Sequence, residues 1–372
     1  MLTGRPLASF RKKVLSWFQH CRRDLPWRRS KDPYRIWVSE IMLQQTRVAV
    51  VIPYYERFLQ HFPDVGVLAG AREEEVLRLW AGLGYYSRAR NLQKAARQMV
   101  AEHDSQFPSV QKDALQLAGI GEYTAAAILS IAYKKRLAVL DGNVARVLAR
   151  LTALRGDLRA DGHWKRLQKL ADQLLAPRRP GDWNEAMMEL GATICKPRSP
   201  RCLLCPVGEF CQARKLGLIE AIPGKRKKRD AVEVNLACLV MIDRSNNTVL
   251  LSPAHHEGES KDGAAGLLSR MWHFPTIVVA ADAERELRAY IQGKLLPGLP
   301  GGAKFFRLAQ ANHTVTHRRI TVQPFRVELD KLPVVSGTRK LPLGQLGSVP
   351  ISNLTRKVAE AAQSGQEAGR YR

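Results

Sequence analysis

A run of four cysteines is the feature of this chain that most restricts its fold. Cys195, Cys202, Cys205 and Cys211 follow one another in the spacing C-x6-C-x2-C-x5-C. In an intracellular chain, clustered cysteines usually bind metal rather than form disulfides. Zn²⁺ and an iron–sulfur cluster both take four thiolates. The first interval is too wide for a zinc knuckle and the run differs from the ferredoxin pattern, so the spacing predicts a four-thiolate metal site and favours iron–sulfur only moderately.

The charge of the chain indicates a polyanionic partner. It carries 59 Lys and Arg against 34 Asp and Glu, a net charge of +25. Residues 1–220 hold 36 basic against 21 acidic side chains, a net +15, and residues 231–372 hold 18 against 12, a net +6. Nucleic acid is the first candidate and an anionic membrane surface the second. Because both parts are basic, we expect a partner that contacts both.

Two kinds of membrane segment are not predicted. No stretch of about 18 apolar residues is present, which argues against a membrane span. The first ten residues lack the apolar core of a signal peptide. We therefore expect a cytoplasmic, monomeric protein, associated with the nucleoid if the source is bacterial.

The length exceeds one comfortable core, so two domains are expected. Apolar residues recur at three- and four-residue spacing over 7–20, 36–59, 73–80, 87–101, 122–133 and 143–153, with further helices around 162–175 and 182–193. After a basic linker, β-like patterns occupy 232–242, 248–251, 276–280 and 320–329, with a helix around 282–295. We predict a helical domain over 1–218, the linker over 219–231, an α+β domain over 232–350 and a polar tail over 351–372.

A short glycine-containing turn is typical of a phosphate site. Gly119-Ile-Gly121 lies between two helical patterns, so its backbone N–H groups stay open and the following helix points its positive end the same way. Such a turn binds a phosphate oxygen without reading the base. A plain helix–turn–helix joint is the alternative, but the basic surroundings, including Lys134, Lys135 and Arg136, favour DNA.

Several blocks of the chain together resemble one protein family. In chain order they are Leu25–Arg28 (LPWR), Trp37–Thr46 (WVSEIMLQQT), Gly82–Arg88 (GLGYYSR), Gly119–Ala125 (GIGEYTA), Leu140–Val144 (LDGNV), Asn184–Glu185 and the four cysteines. This order resembles the adenine DNA glycosylases of the MutY type, in the helix-hairpin-helix glycosylase superfamily. The resemblance implies an all-α helix-hairpin-helix domain whose cysteine loop, 195–211, carries a 4Fe-4S cluster, followed by a Nudix-like α+β domain.

Two carboxylates suit cleavage of a glycosidic bond. Asp32-Pro33 predicts a helix start, and on that helix Glu40 has apolar neighbours at helical spacing, so its pKa should rise and suit a general acid. Asp141 precedes another helix, where a capping bond would hold it fixed and ionised. The ordinary alternatives are a rim Glu and a routine N-cap.

An oxocarbenium-like sugar needs an acid for the leaving group and a carboxylate for the positive charge. We therefore assign Glu40 as the acid on adenine and then the base for water. Asp141 stabilises the sugar cation, by its charge or covalently.

The resemblance adds further site residues. It implies that Tyr123 and Asn143 hydrogen-bond around the two carboxylates. The residues implied to line the pocket for the flipped adenine are Trp27, Arg28, Leu43 and Glu185. Those implied to lie around the opposing 8-oxoguanine are Gln45, Thr46 and Tyr85.

Tyr123 stands where related bifunctional enzymes such as endonuclease III carry a Schiff-base lysine. We infer a monofunctional glycosylase that leaves an abasic site. Lys112 and Lys134 lie nearby in sequence, which leaves weak lyase activity open.

The second domain resembles the family's lesion-recognition domain. Met271–Pro275 (MWHFP) and His313–His317 (HTVTH) match its blocks with changes. Thr316 keeps a hydroxyl for a purine edge, and His317 ends the loop, whereas Val315 replaces an aromatic residue and cannot stack. No carboxylate-rich Nudix box is visible, so nucleotide hydrolysis is not expected.

The sequence thus predicts a glycosylase acting on adenine opposite 8-oxoguanine or guanine in duplex DNA. A pyrimidine-lesion glycosylase/lyase of the same fold and a non-enzymatic iron–sulfur DNA-binding protein remain as alternatives. Tyr123 argues against the first, and the intact carboxylates Glu40 and Asp141 argue against the second.

Overall fold

The structure is a computed structural model and describes residues 3–160, 162–224, 230–253, 271–295, 303–315 and 317–364. Thr316 and linker residues 225–229 lie outside the described residues. Close contacts divide the chain into two units. We call residues 1–71 with 87–227 the helical unit, and residues 72–86 with 228–372 the sheet unit.

The helical unit consists of α-helices and short 3₁₀ turns. Its helices are α1 (Gly4–Cys21), α2 (Pro33–Leu43), α3 (Val48–His61), α4 (Val65–Gly70), α6 (Ser87–Glu102), α7 (Gln111–Ala114), α8 (Glu122–Tyr133), α9 (Gly142–Leu151), α10 (His163–Leu174), α11 (Pro180–Thr193) and α12 (Gln212–Lys215). The 3₁₀ turns are Pro26–Arg28, Cys202–Leu204 and Gly208–Phe210. Helix α5 (Glu73–Trp80) belongs to the sheet unit.

Two predicted helix starts are confirmed. Asp32 caps α2 by accepting the backbone N–H of Tyr34 at 2.9 Å, and Pro33 is the first helical residue. Asp141 caps α9 by accepting the N–H of Val144 at 2.7 Å. Both caps satisfy backbone donors that a helix start otherwise leaves open.

The single helix predicted over 36–59 is wrong, because the chain breaks between α2 and α3. Gln45 adopts φ +58°, in the left-handed region, which ends the helical hydrogen-bond series. The buried guanidinium of Arg88 then takes up carbonyls freed at the end of α2. Its Nη1 donates to Ile41 and Met42 at 2.9 Å each. The apolar spacing continues across this break and therefore could not reveal it.

The core of the helical unit forms where α11 packs against α1, α8 and α9. Phe10, Val14 and Phe18 of α1 are buried there with Trp183 and Leu190 of α11. Burial of side chains of this size contributes about 1.5–3 kcal/mol each. This packing fixes the first turns of α8 and α9 beside α11.

The sheet unit is built on a mixed β-sheet. Its described strands are β1 (Val232–Asp243), β2 (Thr248–Pro253), β3 (Trp272–His273), β4 (Thr276–Val278), β5 (Phe306–Arg307), β6 (Ala311–Val315), β7 (Arg318–Leu329) and β8 (Arg339–Pro342). The main order is β3-β2-β1-β7-β5, with β4 on β1, β6 on β7 and β8 on β2. The β1–β7 pair is parallel, in register from Val232 with Arg318 to Asp243 with Leu329, and the other pairs are antiparallel.

The central strand β1 is buried on both faces. Leu236, Cys238 and Val240 face a core that includes residues of helix α14 (Asn353–Ser364). The alternate residues of β1 face a second core that includes Leu287 of helix α13 (Ala283–Tyr290). The α+β prediction for this part is confirmed, whereas β3, β5, β6 and β8 were missed because two to five residues are too few for a periodic pattern.

Segment 72–86 is held within the sheet unit by polar contacts. The carboxylate of Glu74 pairs with Arg339 Nη1 at 2.6 Å and accepts the indole N–H of Trp272 at 3.2 Å. The Arg339 guanidinium also lies 4.7 Å from the centre of the Trp272 ring. Farther along the segment, the amide of Asn353 donates to the Gly82 carbonyl at 3.4 Å.

Among the described residues, every helix is too short or too polar to cross a lipid bilayer.

Candidate active site

Glu40 projects from α2 into the interior of the helical unit. The residue is only 7% exposed. Burial raises the pKa of its carboxyl from 4.5 to about 7, a hydrogen bond from Tyr123 lowers it, and the charges of Asp141 and Glu185 raise it further. A carboxyl with this pKa can carry a proton near neutral pH. The raised pKa expected from the apolar stripe of α2 is therefore present.

Tyr123, on the first turn of α8, is the direct partner of Glu40. Its hydroxyl donates to Glu40 Oε2 at 2.8 Å and lies 3.2 Å from Met188 Sδ. Burial raises the pKa of Tyr123 well above its ordinary value, so the phenol stays neutral and acts as a donor. The hydrogen bond orients the Glu40 carboxyl through Oε2, and Tyr123 does not engage Oε1.

Asp141 presents its carboxylate from the start of α9. One oxygen accepts the Val144 N–H, and the other accepts Asn143 Nδ2 at 3.0 Å. Burial raises the pKa of Asp141, against the lowering effect of these bonds and of the nearby Arg146 charge. The capping bond fixes the group as expected, but its effect on ionisation is outweighed by burial.

Two buried arginines of α9 contact the cysteine loop. Arg146 donates to Asn143 Oδ1 at 2.9 Å and to the Cys195 carbonyl at 2.8 Å. Arg150 donates to the Lys196 carbonyl at 2.7 Å, with its Nη1 3.4 Å from Cys195 Sγ. The sequence reasoning missed both arginines, although their four-residue spacing places them on one face of α9.

The four thiols of the loop influence one another. Burial raises the pKa of Cys205 to about 11, a backbone hydrogen bond from Val207 lowers it, and Cys195, Cys211 and Cys202 raise it further. Among the described residues, however, no three His, Cys, Asp or Glu side chains form a group that could hold a single metal ion.

A cavity of about 1170 Å³ opens beside Glu40 and Asp141. The predicted site residues that line it are Trp27, Arg28, Glu40, Leu43, Gln45, Thr46, Gly119, Gly121, Tyr123, Asp141, Asn143 and Glu185. The structure therefore brings together residues that are more than 150 positions apart in the chain. The cavity is large enough for one purine base and opens to solvent.

One wall of the cavity carries a network of charges. Arg28 Nε lies 3.5 Å from Glu185 Oε1, and Lys31 Nζ lies 3.2 Å from Glu185 Oε2. Arg28 Nη2 also donates to Glu189 at 2.9 Å, and Glu189 pairs with Arg23. Sequence reasoning missed Lys31, Arg23 and Glu189. Only the one-turn spacing of Glu189 from Glu185 on α11 could have pointed to it.

The predicted hairpin is present between α7 and α8. Gly119 has φ +77°, and a Cβ added there would lie 2.8 Å from Asn91 Cβ, so only glycine fits this turn. Gly121 immediately precedes α8 and lines the cavity, so the N-terminus of this helix lies at the cavity. Lys134, Lys135 and Arg136, in contrast, follow the other end of this 12-residue helix, about 18 Å away. They do not surround the hairpin, because the rise of α8 separates them from it.

The residues assigned to the opposing base are divided between the units. Gln45 and Thr46 lie in the helical unit, where Arg88 Nη2 donates to Thr46 Oγ1 at 3.2 Å. Tyr85 belongs to the sheet unit, is 37% exposed and has the left-handed φ of +48°. His317 lies in the turn between β6 and β7, where its carbonyl accepts the Val232 N–H at 2.8 Å. Thr316 is outside the described residues.

Comparisons with known proteins show which family this chain belongs to. Residues 38–173 match the model of the HhH-GPD superfamily of base excision DNA repair proteins. The chain is 34% identical to an adenine DNA glycosylase of Mus musculus over 95% of this chain and 77% of that protein. It is 35% identical to the Homo sapiens adenine DNA glycosylase over 98% and 75% of the two chains. This chain belongs to the adenine DNA glycosylase family.

Solved structures show the same helical fold. A thermostable thymine-DNA glycosylase, 29% identical, has a TM-score of 0.52 over 56% of this chain and 97% of its own. An endonuclease III in complex with DNA, 21% identical, has a TM-score of 0.50 over 59% of this chain and 99% of its own. The helix-hairpin-helix glycosylase fold predicted for the first domain is thereby confirmed for this family member.

Proposed function

We propose that this base excision repair glycosylase hydrolyses the N-glycosidic bond of adenine mispaired with 8-oxoguanine or guanine in duplex DNA. The observation that carries the proposal is the buried pair of Glu40 and Asp141 at one cavity. Glu40 is held by Tyr123 and can carry a proton near neutral pH, because its pKa is raised to about 7, while Asp141 is held by Asn143 and the helix cap. Two carboxyls with different partners suit an acid and a cation stabiliser.

The reaction divides between these two groups. Protonated Glu40 gives its proton to a ring nitrogen of adenine, and the C1′–N bond breaks with its electrons passing to the base. The carboxylate of Asp141 stabilises the resulting sugar cation by charge or by a transient bond. Glu40, now ionised, takes a proton from water as the water oxygen bonds to C1′. Glu40 ends the cycle protonated, and the products are free adenine and an abasic site.

The decisive experiment measures adenine release by Glu40→Gln under single-turnover conditions. Gln keeps the size of the side chain but cannot transfer a proton, so we expect a loss of roughly 10²–10⁴-fold. Glu56→Gln on the exposed face of α3 is the matched control and should leave the rate unchanged. Release by Glu40→Gln at the rate of the native enzyme would disprove the assignment. Duplexes pairing adenine with 8-oxoguanine, guanine and thymine define the preferred opposite base.

We further propose that the enzyme lacks a lyase step. Tyr123 replaces the Schiff-base lysine, and its neutral phenol is engaged with Glu40. Borohydride should therefore trap no covalent adduct with abasic DNA, whereas Tyr123→Lys tests whether an amine at that position can form one. Trapping by the native chain would contradict the proposal and support a bifunctional enzyme.

The adenine itself is proposed to bind against the wall formed by Trp27, Arg28, Leu43 and Glu185. Trp27 is 8% exposed and supplies an apolar face. The Arg28 and Lys31 cations both approach Glu185, so that wall offers polar groups to the Watson–Crick edge of a flipped base. The backbone at Gly119 and Gly121 is proposed to hold a nearby phosphate.

The cysteine loop is proposed to hold a 4Fe-4S cluster through Cys195, Cys202, Cys205 and Cys211. The pKa of Cys205 is raised in part by Cys195, Cys211 and Cys202, which indicates that the four thiols lie near one another. Four neighbouring thiols form a donor set suited to iron, and Arg150 adds a cation beside Cys195. When bound, the cluster ties the loop together through four thiolates. Iron and acid-labile sulfide content of purified protein tests this, with Cys238→Ser as a control that leaves the content unchanged. Zinc content with no sulfide would overturn it.

The sheet unit is proposed to be Nudix-like and to recognise 8-oxoguanine. Its mixed sheet with helices on both faces supports that class of fold. His317 lies in the turn before β7, and Thr316 directly precedes it in the sequence. Thr316→Ala should reduce the ratio of adenine release opposite 8-oxoguanine to release opposite guanine. An unchanged ratio would remove Thr316 from the recognition set. The predicted boundaries at 218 and 231 belong to the same proposal. Helix α14 packs into the core of the sheet unit, so we place the end of this domain after residue 350.

A further inference from the structure

Glu189 is the most completely buried carboxylate near the catalytic cavity, yet the mechanism above does not use it. Its side chain is 0% exposed. It lies on α11, one helical turn beyond Glu185. Burying a charge without partners is costly, so such a group needs cations in direct contact.

Two arginines supply those contacts. Arg23 donates to Glu189 through Nε at 2.7 Å and Nη2 at 2.8 Å, in a bidentate arrangement. Arg28 Nη2 donates at 2.9 Å to Glu189 Oε2, the oxygen that also accepts the Nη2 of Arg23. Burial would raise the pKa of Glu189, but the hydrogen bond from Arg23 and the charge of Arg28 lower it overall.

Arg28 is the member of this network that reaches the reacting groups. Its side chain is 10% exposed, and its Nε lies 3.5 Å from Glu185. Its charge also acts on Glu40, where it favours the ionised carboxylate. Glu189 therefore shares, with Glu185, the cation that works against protonation of Glu40.

We propose that Glu189 is a positioning residue that holds Arg28 in the cavity wall and balances its charge, and so keeps Glu40 able to carry a proton. This inference rests on the proposed role of Glu40 as the acid. Without Glu189, the cations of Arg23 and Arg28 would lose the carboxylate that they share, and the field at Glu40 would become more positive. A more positive field favours the ionised acid and lowers the pH at which Glu40 loses its proton.

The charged and titratable groups that act on Glu40 come from four elements. They are Tyr123 from α8, Asp141 from the start of α9, Glu185 from α11 and Arg28 from the turn Pro26–Arg28. Glu189→Gln leaves all four in the chain and changes only the group that holds Arg28. A shift of the Glu40 titration is therefore the specific signature of this network.

The test is the pH profile of single-turnover adenine release from about pH 5 to about pH 9, where the alkaline limb reports loss of the acid's proton. We expect Glu189→Gln to move this limb to lower pH by roughly half a unit to one unit, the effect of one nearby charge. Asp24→Asn is the matched control, because Asp24 loses the same charge but pairs with Arg29 at the surface with its side chain 73% exposed. Its limb should stay in place.

A second variant moves the profile in the opposite direction and covers the case in which Glu189→Gln does not fold. Arg23→Gln removes a cation that competes for Glu189 and leaves the carboxylate to Arg28 alone, so the limb should move to higher pH. The variants that fold could instead lose rate equally at every pH, with the alkaline limb unmoved. That result would show that Glu189 has only a structural role and would overturn the inference. Failure of the Glu40 assignment looks different, because the native enzyme would then show no alkaline limb or Glu40→Gln would stay active.

Discussion

At the scale of single residues, the chemistry depends on how much water each carboxyl loses. Glu40 is buried and meets one neutral donor, Tyr123, whereas Asp141 accepts two donors at a helix start. Burial raises the pKa of both, but hydrogen bonds oppose it more at Asp141. Two chemically similar side chains therefore suit the different tasks that we propose for them, because the surrounding donors differ.

Removing the Tyr123 hydroxyl should move the alkaline limb of the pH profile of adenine release to higher pH. Its hydrogen bond stabilises the ionised form of Glu40 and lowers the pKa of that carboxyl. In Tyr123→Phe the acid should stay protonated to higher pH, so the alkaline limb of single-turnover adenine release moves up, whatever the height of the plateau. Tyr133→Phe is the control on the same helix, because the Tyr133 hydroxyl donates to the backbone carbonyl of Phe107 instead of to a carboxylate. A downward shift in Tyr123→Phe would contradict the expectation.

The raised pKa of Glu40 also predicts a cost in stability. Between its ordinary value of 4.5 and its folded value of about 7, the folded chain binds more protons than the unfolded chain, so stability falls as pH rises through this window. Glu40→Gln does not titrate and should be more stable than the native enzyme at about pH 8, by up to about 3 kcal/mol. Urea unfolding at about pH 8 and about pH 4 measures it, and the difference should vanish at the lower pH. An equal effect at both would point to packing instead.

At the scale of elements, helix ends supply much of the site beside Glu40 and Glu185, which project from within α2 and α11. The hairpin before α8, the cap of α9 and the break after α2 each place a reacting or binding group where a helix begins or ends. Helix ends leave backbone groups open and can be positioned by neighbouring helices. The packing of α11 against α8 and α9 supplies that positioning.

Gly191 on α11 should be required for this positioning. A Cβ added there would lie 2.7 Å from Asn143 Cβ and 2.9 Å from its carbonyl oxygen, closer than real contacts allow. Gly191→Ala should displace Asn143 from Asp141 and slow adenine release by roughly tenfold to a hundredfold. It should also lower the unfolding free energy by about 1–3 kcal/mol. Gly70→Ala is the control, since nothing lies within 4 Å of its added Cβ; a destabilised Gly191→Ala enzyme with the native single-turnover rate would refute the link.

At the scale of the whole molecule, the net charge of +25 serves DNA affinity in general, whereas few residues read the base. The position of each cation matters more than the total. Lys112 is exposed on α7, next to the hairpin, while Lys135 is exposed beyond the far end of α8. From the sequence, Lys135 was expected among the basic surroundings of the hairpin, whereas Lys112 was considered only for weak lyase activity.

The salt dependence of binding should distinguish these two lysines. If Lys112 contacts a phosphate, Lys112→Gln should reduce the slope of log K against log salt concentration by about 0.9, whereas Lys135→Gln should leave it unchanged. Fluorescence anisotropy with a labelled duplex at several salt concentrations measures both slopes. The ratio of release opposite 8-oxoguanine to release opposite guanine should stay the same in both variants. The reverse order of slopes would place the phosphate path at the other end of α8.

Local patterns in the sequence were sufficient for most of the longer helices, the caps at Asp32 and Asp141, the glycine turn and the four-cysteine spacing. Each of these features depends on contacts between residues that are close in the sequence. Local sequence patterns therefore predict them. The block order also identified the family, and with it Glu40 and Asp141. The break after Gln45 and the two-residue strands gave no periodic signal and could not be predicted.

What only the tertiary structure decided are the partnerships across long separations. Glu189 meets Arg23 and Arg28 more than 160 residues away, and Gly191 meets Asn143 because α11 packs onto α9. The pKa of Glu40 likewise depends on neighbours from four elements. Burial and charge are properties of a site's surroundings, and those surroundings exist only after distant segments have packed together. The sequence alone therefore determined which groups could react, and the packing decided how each one is protonated and held.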